Sequence, residues 1–366
     1  MAIAEDIRLM EEALSLAQQA AGRTSPNPLV GALVVADGHV VGRGFHRKAG
    51  EAHAEALALR EAGALARGAT VYTTLEPCAH SGRTGPCTEA LLDAGVRRVV
   101  AAMIDPDPKV DGRGLARLRA AGVAVDVGVL EAQARRVNEF YIKHRRTGLP
   151  FVALKWAMSL DGKIGANRGS ATAITGDDAR RYAHELRNVY DAVLVGVQTV
   201  LADDPQLTCR LPAGRDPLRV VVDSSLRTPP SARVVAGASP AKALIVTTAA
   251  APRDRLEALQ KTGVEVLVQE HGGARVRLRP LLEDLGRRGI LSVLIEGGGT
   301  VNASALGEGI ADKVIALIAP RLIGGAQAPT PLEGVGLADA GRSARLHDMR
   351  VMPLGEDVAI EGYVGS

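Results

Sequence analysis

The chain has 366 residues, 46% apolar and 23% charged, which is long enough for two domains that each bury a core. Its 44 basic and 41 acidic residues leave a net charge of only +3, and aromatic residues make up 2%. That balance supplies neither the positive field that draws nucleic acid or an anionic membrane nor the stacking platforms that hold single strands.

Ile7, Met10, Leu14 and Ala17 recur at helical spacing and predict an amphipathic first helix of about four turns. A strand from Leu29, an Asp37-Gly38 turn and a second strand follow. "HAEALALREAGA" reads as a helix closing near Gly63, "ATVYTTLEPC" as a β-rich run ended by proline, and "PCTEALLDAG" as another helix. "RRVVAAMID" is a buried strand, "GLARLRAAG" and "VAVDVGV" add a helix and a strand, and a single helix from Glu131 to Arg146 closes this half. The polar "RRTGLP" at 145–150 is the break, predicting domains 1–147 and 148–366.

The pattern then restarts. "FVALKWAMSLDGKIG" predicts a strand and turn, and "GDDARRYAHELRNV" a helix with an acidic first turn. Further strands are "AVLVGV", "PLRVVVD", "KALIVTT", "VEVLVQ", "ILSVLIE" and "KVIALIAP". Strands alternating with helices indicate α/β domains with largely parallel or mixed sheets. No internal repeat or low-complexity segment is present. The opening "MAIAEDIRLMEEAL" lacks the basic flank and apolar core of a signal peptide, and no apolar run approaches the roughly 18 residues of a membrane span. We expect a cytoplasmic protein without nucleic-acid or membrane partners, working as a homo-oligomer. Of the three cysteines, Cys209 stands apart and reads as a small half-buried apolar residue.

His53, Cys78 and Cys87 lie within 35 residues of one another, and Glu55 follows the histidine by two. Zinc takes His nitrogen and Cys sulfur in a tetrahedron; four protein ligands make a structural site, three leave a position for water. His80 is a candidate fourth ligand, so a closed structural site remains open on spacing alone. Residues two apart diverge by about 200° in mid-helix, so His53 and Glu55 converge only at a first turn. Cys87 also opens a helix, whose positive dipole end favours thiolates. A carboxylate there can carry a proton from water to a leaving group.

His-Ala-Glu followed by Pro-Cys matches the zinc nucleoside and nucleobase deaminase signature, but Cys78 and Cys87 are nine apart rather than three. "PNPLVG", "GFHRKAGEAHAE", "TLEPCAHSGRTGPC" and "DPDPKVDGRG", in that order, resemble the deaminase half of the bifunctional riboflavin-biosynthesis deaminase–reductase family, across about residues 5–145. The resemblance implies a cytidine-deaminase-like α/β/α sandwich, zinc on His53, Cys78 and Cys87, and Glu55 as proton donor. It implies Asn27 at the pyrimidine edge, His46 and Arg83 near the ribose phosphate, and His80 outside the metal shell. At Ala32 the family often has Cys, a packing change.

In the second half, "LIEGGGTVNASAL" reads as a strand, Glu296, three glycines and a helix; glycines let backbone N–H groups approach a phosphate at a helix N-terminus. It is not a dinucleotide fingerprint, because Asn302 replaces the last glycine. With "LKWAMSLDGKI" and "TVLADDPQLTCR" it resembles the reductase half of the same family, which implies a dihydrofolate-reductase-like α/β domain using NADPH. Implied cofactor contacts are Ala157, Ala173, Thr199, Asp203, Gly297, Gly298, Gly299 and Thr300. Implied substrate contacts are Lys155, Ala171, Arg187, Leu207, Arg210 and Glu296, the arginines suiting a sugar phosphate. "ATAIT" departs from the family, with Ala171 and Ala173 where Ser and Trp are usual.

Cofactor choice is written in mixed signals. Asp223 at the end of "LRVVVD" favours a free ribose hydroxyl, whereas Ser225 and Arg227 in "SSLRTP" suit the extra phosphate of NADPH. We expect Asp223 to turn into its own loop. The reading is a two-step enzyme: hydrolytic removal of an amino group from a diaminopyrimidinone ribosylamine phosphate, then NADPH-dependent reduction of the ribosylamino group. The competing readings are an RNA-editing deaminase, a non-enzymatic zinc scaffold, and a deaminase fused to a weakened reductase.

Overall fold

The structure, a computed structural model, describes residues 2–79, 85–169, 173–237, 239–270, 273–334 and 343–365, and the elements counted below lie within them. The chain divides into two units, Met1–Gly148 and Leu149–Ser366.

The first unit runs α1 (Ala2–Gln18), β1 (Gly31–Ala36), β2 (His39–Phe45), α2 (Ala54–Ala62), β3 (Thr70–Thr73), α3 (Cys87–Asp93), β4 (Arg98–Ala101), α4 (Arg113–Ala120), β5 (Ala124–Val127), α5 (Glu131–Val137) and α6 (Glu139–Thr147). Its five strands lie in the order β2-β1-β3-β4-β5, with β1 antiparallel to both neighbours and β3, β4 and β5 parallel. Small residues set the helix–sheet distance. Gly42 and Gly44 share one face of β2, and a Cβ on either would overlap a backbone carbonyl of α2, that of Ala58 or Ala54. Ala54, Ala58 and Ala62, buried at four-residue spacing, complete that close seam. Gly31 does the same for α1, where an added Cβ would overlap the carbonyl of Ala13. Asp6 on α1 accepts two hydrogen bonds from Arg98, at 3.0 and 2.8 Å, and one from the Tyr72 hydroxyl at 2.5 Å, tying α1 to β3 and β4.

Two boundaries differ from the sequence reading, for one reason. The first strand begins at Gly31 rather than Leu29, and the helix from Glu131 to Arg146 is two helices meeting at Asn138, where φ is −109° and ψ is 20°. The Asn138 side chain accepts from the Leu29 N–H at 2.8 Å and donates to the Leu29 carbonyl at 2.9 Å. A short amide side chain that competes for backbone groups thus interrupts one element and delays the start of another.

The second unit runs β6 (Phe151–Ser159), α7 (Asp177–Val189), β7 (Ala192–Gly196), α8 (Val197–Asp203), β8 (Leu218–Val222), α9 (Arg233–Ala236), β9 (Ala243–Thr248), α10 (Arg253–Gln260), β10 (Glu265–Gln269), α11 (Leu278–Arg287), β11 (Ser292–Ile295), α12 (Gly299–Gly307), β12 (Lys313–Ala319), β13 (Leu346–Leu354) and β14 (Asp357–Val364). The nine strands lie in the order β10-β9-β8-β7-β11-β6-β12-β14-β13. All are parallel up to β12, and β14 and β13 close the edge antiparallel. Helices cover both faces, so β7 is buried along its whole length and reads as a continuous apolar run. The terminal hairpin escaped the sequence reading because β13 is largely exposed and shows no clean alternation. Parallel strands bring Glu296, Asp223 and the start of α8 to one edge of the sheet, the carboxyl end where α/β sheets bind ligands.

Candidate active sites

His53 is the N-cap of α2, with extended backbone angles and no capping bond from its side chain, so the ring is free to point past the helix end. Glu55 lies in the first turn and is 3% exposed. Cys87 begins α3, and its N–H donates to the sulfur of Cys78 at 3.4 Å. The His53 Nδ1 stands 3.1 Å from the Cys87 sulfur and 3.6 Å from that of Cys78. The three ligand atoms all lie within 4.8 Å of one another. Tetrahedral zinc separates its sulfur and nitrogen ligands by about 3.5–3.8 Å, so this donor set and its spacing fit the ion. Cys78, bonded to Cys87 and to His53, is held down to about 4, while the same bond and burial push Cys87 far up. Glu55 Oε2 is 3.5 Å from the Cys87 sulfur, beside the cluster rather than in it. Burial raises its carboxyl.

Asn27 and His46 meet on the same side. The Asn27 amide nitrogen is 3.0 Å from His46 Nε2, His46 Nδ1 is 3.2 Å from the Ala52 carbonyl, and the His46 ring stands edge-on to His53 at 5.6 Å. Burial lowers the His46 pKa, favouring the neutral ring. Arg83 and His80 lie outside the described residues.

The sequence reading missed the residue that places Cys78. Glu76, 3% exposed, accepts from the backbone N–H groups of Asp105, Gly112, Gly114 and Leu115, at 3.1, 2.8, 2.8 and 3.3 Å. A carboxylate at the start of α4 complements the helix dipole and fixes the Pro77-Cys78 turn. Gly114 is required there because a Cβ would overlap the Pro77 carbonyl. The signal was an acid directly before Pro-Cys and a glycine pair in "DGRG".

In the second unit, Arg187 on α7 donates to both oxygens of Glu296, at 2.6 and 2.8 Å, and to the Thr208 carbonyl at 3.1 Å. Lys155 Nζ lies 3.7 Å from the same carboxylate. Burial alone would raise Glu296, but Arg187 and then Lys155 hold it at about 2. Burial lowers the Lys155 ammonium in turn. Three of the named substrate residues therefore form one buried cluster. Leu207 is buried with φ 57°, and Arg210 is exposed three residues on. Ala171 lies outside the described residues.

Of the named cofactor residues, Gly297 and Gly298 have φ of 151° and 85°, and a Cβ on Gly297 would stand 3.0 Å from Thr199 Oγ1. That approach needs glycine and brings Thr199 on α8 beside the glycine turn. Gly299 and Thr300 begin α12. Ala157 lies on β6, and Ala173 and Asp203 are exposed. Asp223 is fully buried, and its Oδ2 accepts from the Thr228 N–H and hydroxyl at 2.7 and 2.8 Å, so it faces its own loop as expected. Ser225 and Arg227 are left exposed. With its amide oxygen turned toward the arginine, Gln198 accepts from Arg227 at 3.0 and 3.2 Å.

A model of the cytidine and deoxycytidylate deaminase zinc-binding region matches residues 3–103, and one of the RibD C-terminal domain matches residues 150–360. The riboflavin biosynthesis protein RibD of Aquifex aeolicus is 42% identical over 361 residues, covering 97% of each chain. The chain belongs to the RibD family. RibD of Escherichia coli is 42% identical over 87% of this chain and 89% of its own. The Acinetobacter baumannii RibD structure superposes with a TM-score of 0.89 at 36% identity, covering 100% of both chains. A Thermotoga maritima structure described as a diaminohydroxyphosphoribosylaminopyrimidine deaminase/5-amino-6-(5-phosphoribosylamino)uracil reductase gives 0.88 at 35% identity, again over 100% of both. The fold class expected from the sequence, a deaminase sandwich followed by a reductase-type α/β domain, is the one these relatives share. They also decide against the editing deaminase and the inert zinc scaffold.

Proposed function

We infer that the chain carries out two consecutive steps of riboflavin biosynthesis: hydrolytic deamination of a diaminopyrimidinone ribosylamine phosphate, then NADPH-dependent reduction of the ribosylamino group to ribitylamino. The observation that carries this reading is the His53, Cys78 and Cys87 cluster within 4.8 Å, with Glu55 3.5 Å from Cys87, in a RibD-family chain.

His53, Cys78 and Cys87 would hold a zinc ion, whose chemistry when bound would be to bring the pKa of a water molecule toward neutrality. Glu55 is the group that takes a proton at its carboxylate and returns it to the departing amine. Asn27 binds the pyrimidine edge, and His46, with Arg83, the ribose phosphate. These roles fall to residues 1–147, and the reduction to residues 148–366. Ala157, Ala173, Thr199, Asp203, Ser225 and the Gly297–Thr300 turn would hold NADPH, which would supply the hydride. Arg187 and Arg210 orient the substrate phosphate, with Leu207 and Ala171 beside it, while Lys155 and Glu296 face the opened ribose. The proton that accompanies hydride comes from a positioned water or from Lys155, whose Nζ lies 3.7 Å from Glu296. Among the described residues no helix is long and apolar enough to cross a membrane. The working form in this reading is a cytoplasmic homo-oligomer acting on small molecules, not on nucleic acid or membrane.

Metal removal tests the assignment. Chelator-stripped protein should lose deamination and regain it with zinc, while still reducing the already deaminated compound with NADPH. Deamination that survives verified removal of the metal would overturn it.

A further inference from the structure

His184 lies one turn before Arg187 on α7, and neither the sequence reading nor the site above uses it. Its Nδ1 accepts the backbone N–H of Arg210 at 3.3 Å, across 26 positions of chain. Arg187 meanwhile donates to the Thr208 carbonyl at 3.1 Å, so two side chains of one helix face hold alternate backbone groups of the 207–210 segment. The Cys209 thiol donates back to the His184 carbonyl at 3.4 Å, and the Cys209 N–H donates to Asp216 at 2.8 Å. The segment is thus anchored at three consecutive residues, Thr208, Cys209 and Arg210, while the Arg210 side chain is exposed.

We propose that His184 is a positioning residue of the reductase, fixing the Arg210 backbone so that Arg210 and Arg187 converge on the substrate phosphate. This rests on the reading of Arg210 as a substrate contact. Only a neutral ring has a lone pair on Nδ1 to accept that N–H. Burial, then Arg187 from α7 and Arg210 from the segment itself, keep the ring neutral, against the opposing pull of Glu296 at the end of β11 and of the Thr208 backbone, and its pKa falls to about 4. Asparagine places an oxygen where Nδ1 stands; glutamine and alanine do not.

The test is steady-state reduction of the deaminated substrate by the full-length enzyme. His184→Ala and His184→Gln should raise the KM for substrate by about 2- to 10-fold, the loss of one hydrogen bond. The kcat and the KM for NADPH should stay near the parent values, and His184→Asn should restore the substrate KM. In an Arg210→Ala background, His184→Ala should add nothing. An Arg210→Ala enzyme with raised KM beside a His184→Ala enzyme with parent KM would overturn this proposal alone. An Arg210→Ala enzyme with parent KM would sink the substrate reading, and the proposal with it.

Discussion

Arg187 closes a two-point bond on Glu296, at 2.6 and 2.8 Å, while Lys155 approaches the same carboxylate to 3.7 Å. The Glu296 side chain is 4% exposed, so two cations depend on one buried anion. Glu296→Gln leaves both uncompensated and should cost about 3–5 kcal/mol, together with the reductase activity. The carboxyl is held near 2, below its ordinary 4.5, so its stabilising share is complete above pH 4.5 and fades as pH falls toward 2. Acid unfolding of the parent should show that segment and the Gln variant should not. A variant as stable as the parent would show that the cluster is not what holds the carboxyl ends of these central strands.

The zinc cluster makes a sharper separation between binding and chemistry. Glu55→Gln should keep the metal and lower deamination by about 10²–10⁴-fold, the worth of a positioned acid–base. His53→Ala should lose the metal, and His80→Ala should keep it. Parent-rate deamination by the Gln variant would remove Glu55 from the mechanism.

Close packing is the test of how the site is seated. In Gly44→Ala the new Cβ meets the Ala54 carbonyl, one residue after His53. The start of α2 must move, at a cost of about 1–3 kcal/mol. Chelator competition should show weaker zinc binding than in the parent; equal binding would mean that the β2 seam does not set the ligand geometry.

In the proposed reading, cofactor preference rests on the exposed pair Ser225 and Arg227. Ser225→Ala with Arg227→Ala should raise the KM for NADPH and leave that for NADH unchanged. A hydrogen bond to a charged group contributes roughly 1.5–3 kcal/mol, or about 10–150-fold. Asp223 Oδ2 is turned onto Thr228, into its own loop. Equal KM values for NADPH and NADH in the parent would refute the preference, and an unchanged ratio in the double variant would remove this loop as its cause.

What the sequence made legible follows from how local each signal is. His53, Glu55, Cys78 and Cys87 carry their own chemistry; three of them sit at helix starts, and Cys78 directly follows Pro77. Their meeting could be argued from first-turn geometry alone. Glu76 and Asn138 could not be read that way, because each acts on backbone groups far along the chain, Glu76 on Gly112 and Gly114, Asn138 on Leu29. His184 escaped for the same reason: its partner is a main-chain N–H with no side-chain signature. In the fold, buried parallel strands announced themselves as apolar runs, whereas β13, exposed at the sheet edge, offered no pattern to read.

That one chain performs both reactions in order is tested most directly by a single incubation. Purified protein is given the diaminopyrimidinone ribosylamine phosphate with and without NADPH, and products and ammonia are followed by chromatography and mass. Without NADPH, ammonia should be released and the deaminated ribosylamino compound should accumulate; with NADPH, the ribitylamino compound should replace it, one NADPH oxidised per molecule. Ammonia release without any NADPH oxidation, or no ammonia release by zinc-loaded protein, would contradict it.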